Sequence, residues 1–217
     1  MLVLLPPSEG KASPEGGKPV DLGSLIFAKE LGAKRAELLD AFDPELFEAP
    51  AAPAAEVYTG VLFQRLELPK LPAKARRRVL IASALWGFMR PDDRIPCYRF
   101  PMKERLDGIG PLPAFWRSAL ADALPDEENE LIVDMRSGAY STAWKPKRAT
   151  LLPVRAFTEK DGERKAVSHM AKAVRGEVAR ALLLAKKPAG SSEEAAATAE
   201  DAGFTVELND GNLDAIV

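Results

Sequence analysis

The sequence predicts an α/β fold, with α+β as the variant it leaves open: a single domain spanning residues 1–217 with a mixed sheet flanked by helices. Three observations predict it. Several short runs are apolar throughout, as strands buried on both faces are. Stretches with helical spacing alternate with them. The chain of 217 residues suits one well-buried core and is short for two.

Residues 2–5 (LVLL) read as a first core strand, stopped by Pro6-Pro7. With no basic residue ahead of it and no small-residue cleavage site behind it, this start does not read as a signal peptide. Residues 24–41 read as an amphipathic helix, with Leu25, Ala28, Leu31, Leu38 and Leu39 on one side. The Pro/Ala stretch Ala49 to Ala55 reads as a flexible connector. Residues 79–84 (VLIASA) read as a central strand, 114–124 as a helix, and 131–135 (LIVDM) as another buried strand. LLPVRAF at 151–157 reads as a strand that Pro153 would confine to an edge or bulge. Residues 168–185 form the clearest helix, Ser191 with Glu194 has capping-box spacing for the next, and FTVEL at 204–208 reads as a late strand.

A formal net charge of −2 hides strong blocks. Residues 70–105 carry 10 basic and 3 acidic side chains, and residues 145–187 carry 12 and 4. Acidic blocks separate and follow them: 2 basic against 7 acidic over 106–144, and 7 acidic with no Lys or Arg in the last 30 residues. Two basic segments brought together by a fold would focus a positive field into a cleft suited to phosphate backbones. The other reading is a pair of solvated faces.

Four stretches carry groups suited to ligands. Ser8, Gly10 and Lys11 follow the first strand, where open α/β sheets gather ligands, but their spacing is not that of a Walker loop. Residues 83–99 hold Arg90, Arg94 and Arg99 with Trp86 and Tyr98: guanidinium forks for phosphate, and rings that could stack on bases. Asp134 ends the LIVDM run with Met135; Arg136, Ser137 and Tyr140 follow it, and Asp134 serves either as a base or as the partner of a nearby arginine. His169, Lys172, Gly176 and Arg180 share a helix face, where the glycine implies a close approach to the backbone, by a phosphate or by another element.

One cysteine, Cys97, excludes an internal disulfide and fits a reducing, cytoplasmic setting. One histidine and no clustered ligand pattern argue against a transition-metal site, and no cofactor fingerprint is present. No apolar run reaches membrane-spanning length.

LLPPSEGK, VYTG at 57–60, SALWGFMRPDDRIPCYRFPM at 83–102, FW at 115–116, DMRSGAYSTAWKPK at 134–147 and SHMAKAVRG at 168–176 run in order along nearly the whole chain. Together they resemble the YaaA family of bacterial peroxide-stress proteins. The resemblance implies a cytoplasmic protein of the hydrogen peroxide response, tied to iron homeostasis and to limiting iron-driven DNA damage. It also implies DNA binding in a basic cleft. The leading reading is then a non-enzymatic protein that grips plain or distorted duplex through Lys and Arg without sequence preference. By position, Lys11, Arg90, Arg99, Lys145, Lys172, Arg175 and Arg180 would grip phosphates, and Trp86 or Tyr98 would stack on a base. The family's DNA-binding member is associated with a helix-hairpin-helix ahead of VYTG, where this chain offers only Gly32 as a hairpin glycine. The alternative is an enzyme acting on a nucleotide or nucleobase, its pocket lined by Ser8, Asp134, Ser137 and Tyr140.

Overall fold

A computed structural model describes residues 1–136, 138–160, 163–166 and 170–216. The first half of the chain runs β1 (Leu2–Leu5), α1 (Ala28–Phe42), β2 (Ala52–Pro53), α2 (Ala54–Val57), α3 (Val61–Leu66), α4 (Ala73–Arg76), β3 (Val79–Ser83), β4 (Gly87–Met89) and β5 (Arg94–Ile95). It continues through α5 (Leu112–Ala123), β6 (Leu131–Asp134), α6 (Ala139–Ala143), β7 (Thr150–Lys160), β8 (Glu163–Ala166), α7 (Met170–Leu184), α8 (Ser192–Asp201), β9 (Thr205–Asn209) and β10 (Asn212–Ile216).

Eight strands form one mixed sheet in the order β4-β3-β1-β6-β7-β10-β9, with β8 paired to β7. β1 lies between β3 and β6, parallel to both, with Leu4 in register with Leu80 and Asp134. All four of its residues are buried, which is why LVLL shows no alternation. β7 and β10 extend the parallel set, and β4, β8 and β9 add antiparallel partners. Because β1, β3 and β6 are parallel, their carboxyl ends open on one rim, the position from which Lys11, Ser83 and Asp134 emerge.

Three expectations change. Pro153 sits in the interior strand β7, where pairing with β6 ends at Asp134↔Pro153 and pairing with β10 begins at Leu213↔Val154. The missing N–H therefore falls at a hand-over between neighbours rather than on an edge. The Ala49 to Ala55 connector is packed, not flexible: Ala51 and Ala54 are fully buried, and β2 pairs with β5. α1 begins at Ala28 and runs unbroken through Gly32, so that glycine makes no hairpin.

Residues 87–89, read as loop, form β4. Gly87 adopts φ +70°, and a Cβ there would stand 3.0 Å from the Trp116 ring, so only glycine makes this turn. The predicted cap on α8 forms, with Ser191 Oγ accepting from the Glu194 N–H.

Candidate functional site

Several of the stretches that carried the resemblance meet at the rim. The segment after β1 pairs with the one before α3: Thr59 N–H donates to Gly10 C=O at 3.1 Å, and Ala12 N–H to Val57 C=O at 2.8 Å. A Cβ on Gly60 would sit 2.6 Å from Ser8 Cβ, so the two turns are in close contact. Ser8 turns its hydroxyl onto Gly10 C=O. Lys11 Nζ donates to Ser8 C=O at 2.7 Å and lies over the rings of Tyr98, 4.6 Å from its centroid, and Tyr58, at 5.4 Å. Burial pushes the Lys11 ammonium below the ordinary lysine range; Cys97 and Glu9 oppose this, and Arg99 adds to it.

Behind Lys11 three buried hydroxyls form a chain. Ser83 Oγ accepts from the N–H groups of Leu85 and Trp86, both at 3.1 Å. Ser83 Oγ and Tyr98 Oη lie 2.6 Å apart, as do Tyr98 Oη and Tyr58 Oη, so one proton bridges each pair. Burial raises both tyrosines well above the usual phenol range, so both are neutral hydroxyls. Half-buried Tyr140 closes the group, its Oη accepting from Met102 N–H at 3.3 Å and its pKa raised by burial and by Glu9.

The nominated residues divide sharply. Trp86 is fully buried, edge-on to Tyr98 at 5.9 Å, and Tyr98 is buried with Lys11 over its ring, so neither presents a face to a base. The turn after β3 sends Trp86 into the core, and the aromatic density read as a stacking platform is a packed corner. Asp134 is the arginine partner rather than a base: Arg136 Nε and Nη2 reach its two oxygens at 2.8 and 2.9 Å, with both residues buried. Ser137 and His169 lie outside the described residues.

On α7, Gly176 meets protein and not phosphate. A Cβ there would stand 2.4 Å from Leu62 C=O, so α3 runs directly across it. One turn on, Arg180 donates to Leu66 C=O at 2.9 Å and pairs with Glu67 at 3.1 Å, closing the end of α3. The register 62–176 and 66–180 makes the two helices parallel, which places Lys172 at the end of α7 nearest Gly60 and Ser8. Arg175 is half-buried, donating to Val154 C=O at 2.9 Å, and burial lowers its pKa against the pull of Asp134. Arg90 is also half-buried, its backbone N–H on Asp93 at 2.9 Å. Lys145 lies elsewhere, in a groove beside α5. The rim therefore gathers Lys11, Arg99 and Lys172, with Arg90 and Arg175 less accessible.

Arg35 was not anticipated. It is fully buried, donating to the carbonyls of Trp86 at 3.0 Å and Phe88 at 2.8 Å, and so ties α1 to β4. Burial lowers its pKa to about 10, with Asp93 opposing. A signal was present: Arg35 stands on the apolar face between Leu31 and Leu38.

The family model described as "Peroxide stress protein YaaA" matches residues 18–209. The chain belongs to this family. A UPF0246 protein of Streptomyces coelicolor is 39% identical, over 95% of this chain and 92% of its own length. One from Corynebacterium glutamicum is 36% identical over 96% of both. An uncharacterized protein of Campylobacter jejuni is 29% identical over 81% of this chain and 82% of its own. Membership in the YaaA family supports a general role in oxidative stress. No helix among the described residues is long and apolar enough to cross a membrane, and no group of three or more metal-ligating side chains occurs among them.

Proposed function

We propose that this member of the peroxide-stress family is a cytoplasmic, non-enzymatic protein that binds duplex DNA along the rim and limits iron-driven oxidation of that DNA. One observation carries the proposal. Among the described residues, Lys11, Arg99 and Lys172 have no carboxylate within ion-pairing distance, whereas Arg180 on the same side is neutralised by Glu67. Uncompensated cations on one rim attract a phosphate backbone and release its counterions. Backbone gripping of this kind reads no bases, consistent with the buried positions of Trp86 and Tyr98.

The test is fluorescence anisotropy with a plain and a mismatched duplex at low and moderate salt. Binding is expected to weaken as salt rises. Arg99→Ala with Lys172→Ala is expected to flatten the log–log salt slope by about 2, at roughly 0.9 per phosphate contact. Salt-independent binding, or an unchanged slope in the double variant, would refute the rim as the DNA contact. The linked hydroxyls of Ser83, Tyr98 and Tyr58 behind Lys11 support a second reading, an enzyme holding a nucleotide or nucleobase beside Lys11. A thermal-shift screen of nucleosides and nucleotides in which Tyr58→Phe removes every response would favour it.

A further inference from the structure

A groove of about 600 Å³, within the range of small-ligand sites, lies between α5 and the segment following α6. Arg117 and Ser118 line one side, Lys145 and Lys147 the other, over a floor of alanines and Trp144. None of its lining residues belongs to the rim. We propose that this groove is a separate site for a nucleoside polyphosphate.

The cations are uncompensated. Arg117, Lys145 and Lys147 are exposed, and none has a carboxylate within ion-pairing distance among the described residues. Two nearby acids are engaged: Glu128 pairs with Arg148 at 3.5 Å, and Asp126 is used by the backbone. The groove is also built rather than draped. On α5 the opposite face anchors in the core, with Trp116 fully buried and its Nε1 donating to Ala84 C=O at 2.7 Å. That holds Arg117 and Ser118 outward.

The facing segment is fastened at both ends. At its start, Arg136 Nη2 donates to Trp144 C=O at 3.1 Å while Asp134 holds the guanidinium from behind. At its end, Asp126 accepts the N–H groups of Lys147, Arg148 and Ala149 at 2.8, 2.8 and 2.9 Å. These backbone bonds, with Ala149 first, hold the Asp126 carboxyl below its usual range. Lys145 and Lys147 thus project from a segment whose ordering is already complete, which lowers the entropic cost of binding. Three cations suit a di- or triphosphate. A phosphodiester grip would not need the apolar floor of Ala114, Ala121 and Ala143, whereas a base and sugar would cover it.

The test is calorimetric titration of the full chain with ATP and, separately, inorganic triphosphate, in magnesium-free buffer at low salt. Saturable ATP binding is expected, with triphosphate weaker because it leaves the floor uncovered. Arg117→Ala with Lys147→Ala should weaken ATP by at least about tenfold, as the loss of two charge-assisted contacts requires. Asp126→Ala should weaken it about threefold by loosening the segment, although removing an acid makes the groove more positive. Lys11→Met should leave ATP binding unchanged. Thermal melts of each variant confirm folding. No saturable binding at millimolar ATP would overturn the proposal, as would loss on Lys11→Met alone. So would a groove variant that weakens duplex DNA while ATP fails to bind, because the groove would then belong to the nucleic-acid backbone.

Discussion

The rim and the β7–β10–β9 quarter are both rich in cations, yet they treat them oppositely. In the β7–β10–β9 quarter, Arg155 Nε and Nη2 reach both oxygens of the buried Asp214 at 2.6 and 2.7 Å, from the neighbouring position in the parallel ladder. Arg164 reaches both oxygens of Glu207 at 2.7 and 2.8 Å and one of Glu159 at 2.7 Å. On the rim, Lys11 lies over two tyrosine rings beside the charge of Arg99, and neither cation has an ion-paired carboxylate among the described residues. The basic blocks of the sequence do not distinguish these cases. What separates them is the acidic C-terminal block, which folds back as β9 and β10 and delivers Glu207 and Asp214 to the second basic block. Positive charge in sequence marks where cations are, and strand order decides which of them are free.

Removing one cation from each region puts that difference to a direct test. Arg155→Ala leaves Asp214 buried with only Asn209 Nδ2 at 3.4 Å, and should destabilise the fold by about 1–3 kcal/mol. Arg99→Ala should shift stability by no more than about 0.5 kcal/mol, because an exposed side chain without an ionic partner holds nothing together. Urea unfolding of both variants decides it, and equal losses would erase the distinction between structural and available cations. A smaller effect sharpens the limits of the rim. Helix propensity alone makes Gly176→Ala stabilising by about 1 kcal/mol. The overlap with Leu62 C=O costs about 1–3 kcal/mol. The expected net is a loss of about 1 kcal/mol in urea unfolding, and a gain would mean that α3 does not press on α7.

Much of this arrangement was legible in the residues and some was not. LVLL, VLIAS and LIVD announced buried strands because a short apolar run between turn signals has few other uses. The capped α8 and the amphipathic α7 were equally plain, since caps and periodicity are local. Long-range pairing was not legible. Pro153 reads as an edge residue until β10 is known to take over the ladder at Val154. Gly176 announced a close approach but not its identity, which depends on where α3 lies. Lys145 was grouped with Lys11 by charge, and only the placement of α5 separates them. Tyr58 and Ser83 stood inside recognised motifs, but their roles emerge only when Tyr98 is brought between them.

The smallest expected effect concerns pH and isolates Lys11. Its folded-state pKa lies below the ordinary lysine value, chiefly from burial. For a lysine the sign follows directly: the fold disfavours the ammonium relative to the unfolded chain. That burden on stability is present below the folded pKa and disappears as pH rises past the unfolded value. Binding runs the other way, because a phosphate needs the ammonium and raises its pKa when bound. Duplex affinity at fixed salt should therefore fall as pH rises through alkaline values, earlier than a solvent-exposed lysine would dictate, with a proton taken up on binding. Lys11→Met should remove this alkaline decline while keeping the contributions of Arg99 and Lys172. If the decline persists unchanged in Lys11→Met, then Lys11 is a structural cation held by Tyr98 and Ser8, and the available charge of the rim reduces to Arg99 and Lys172.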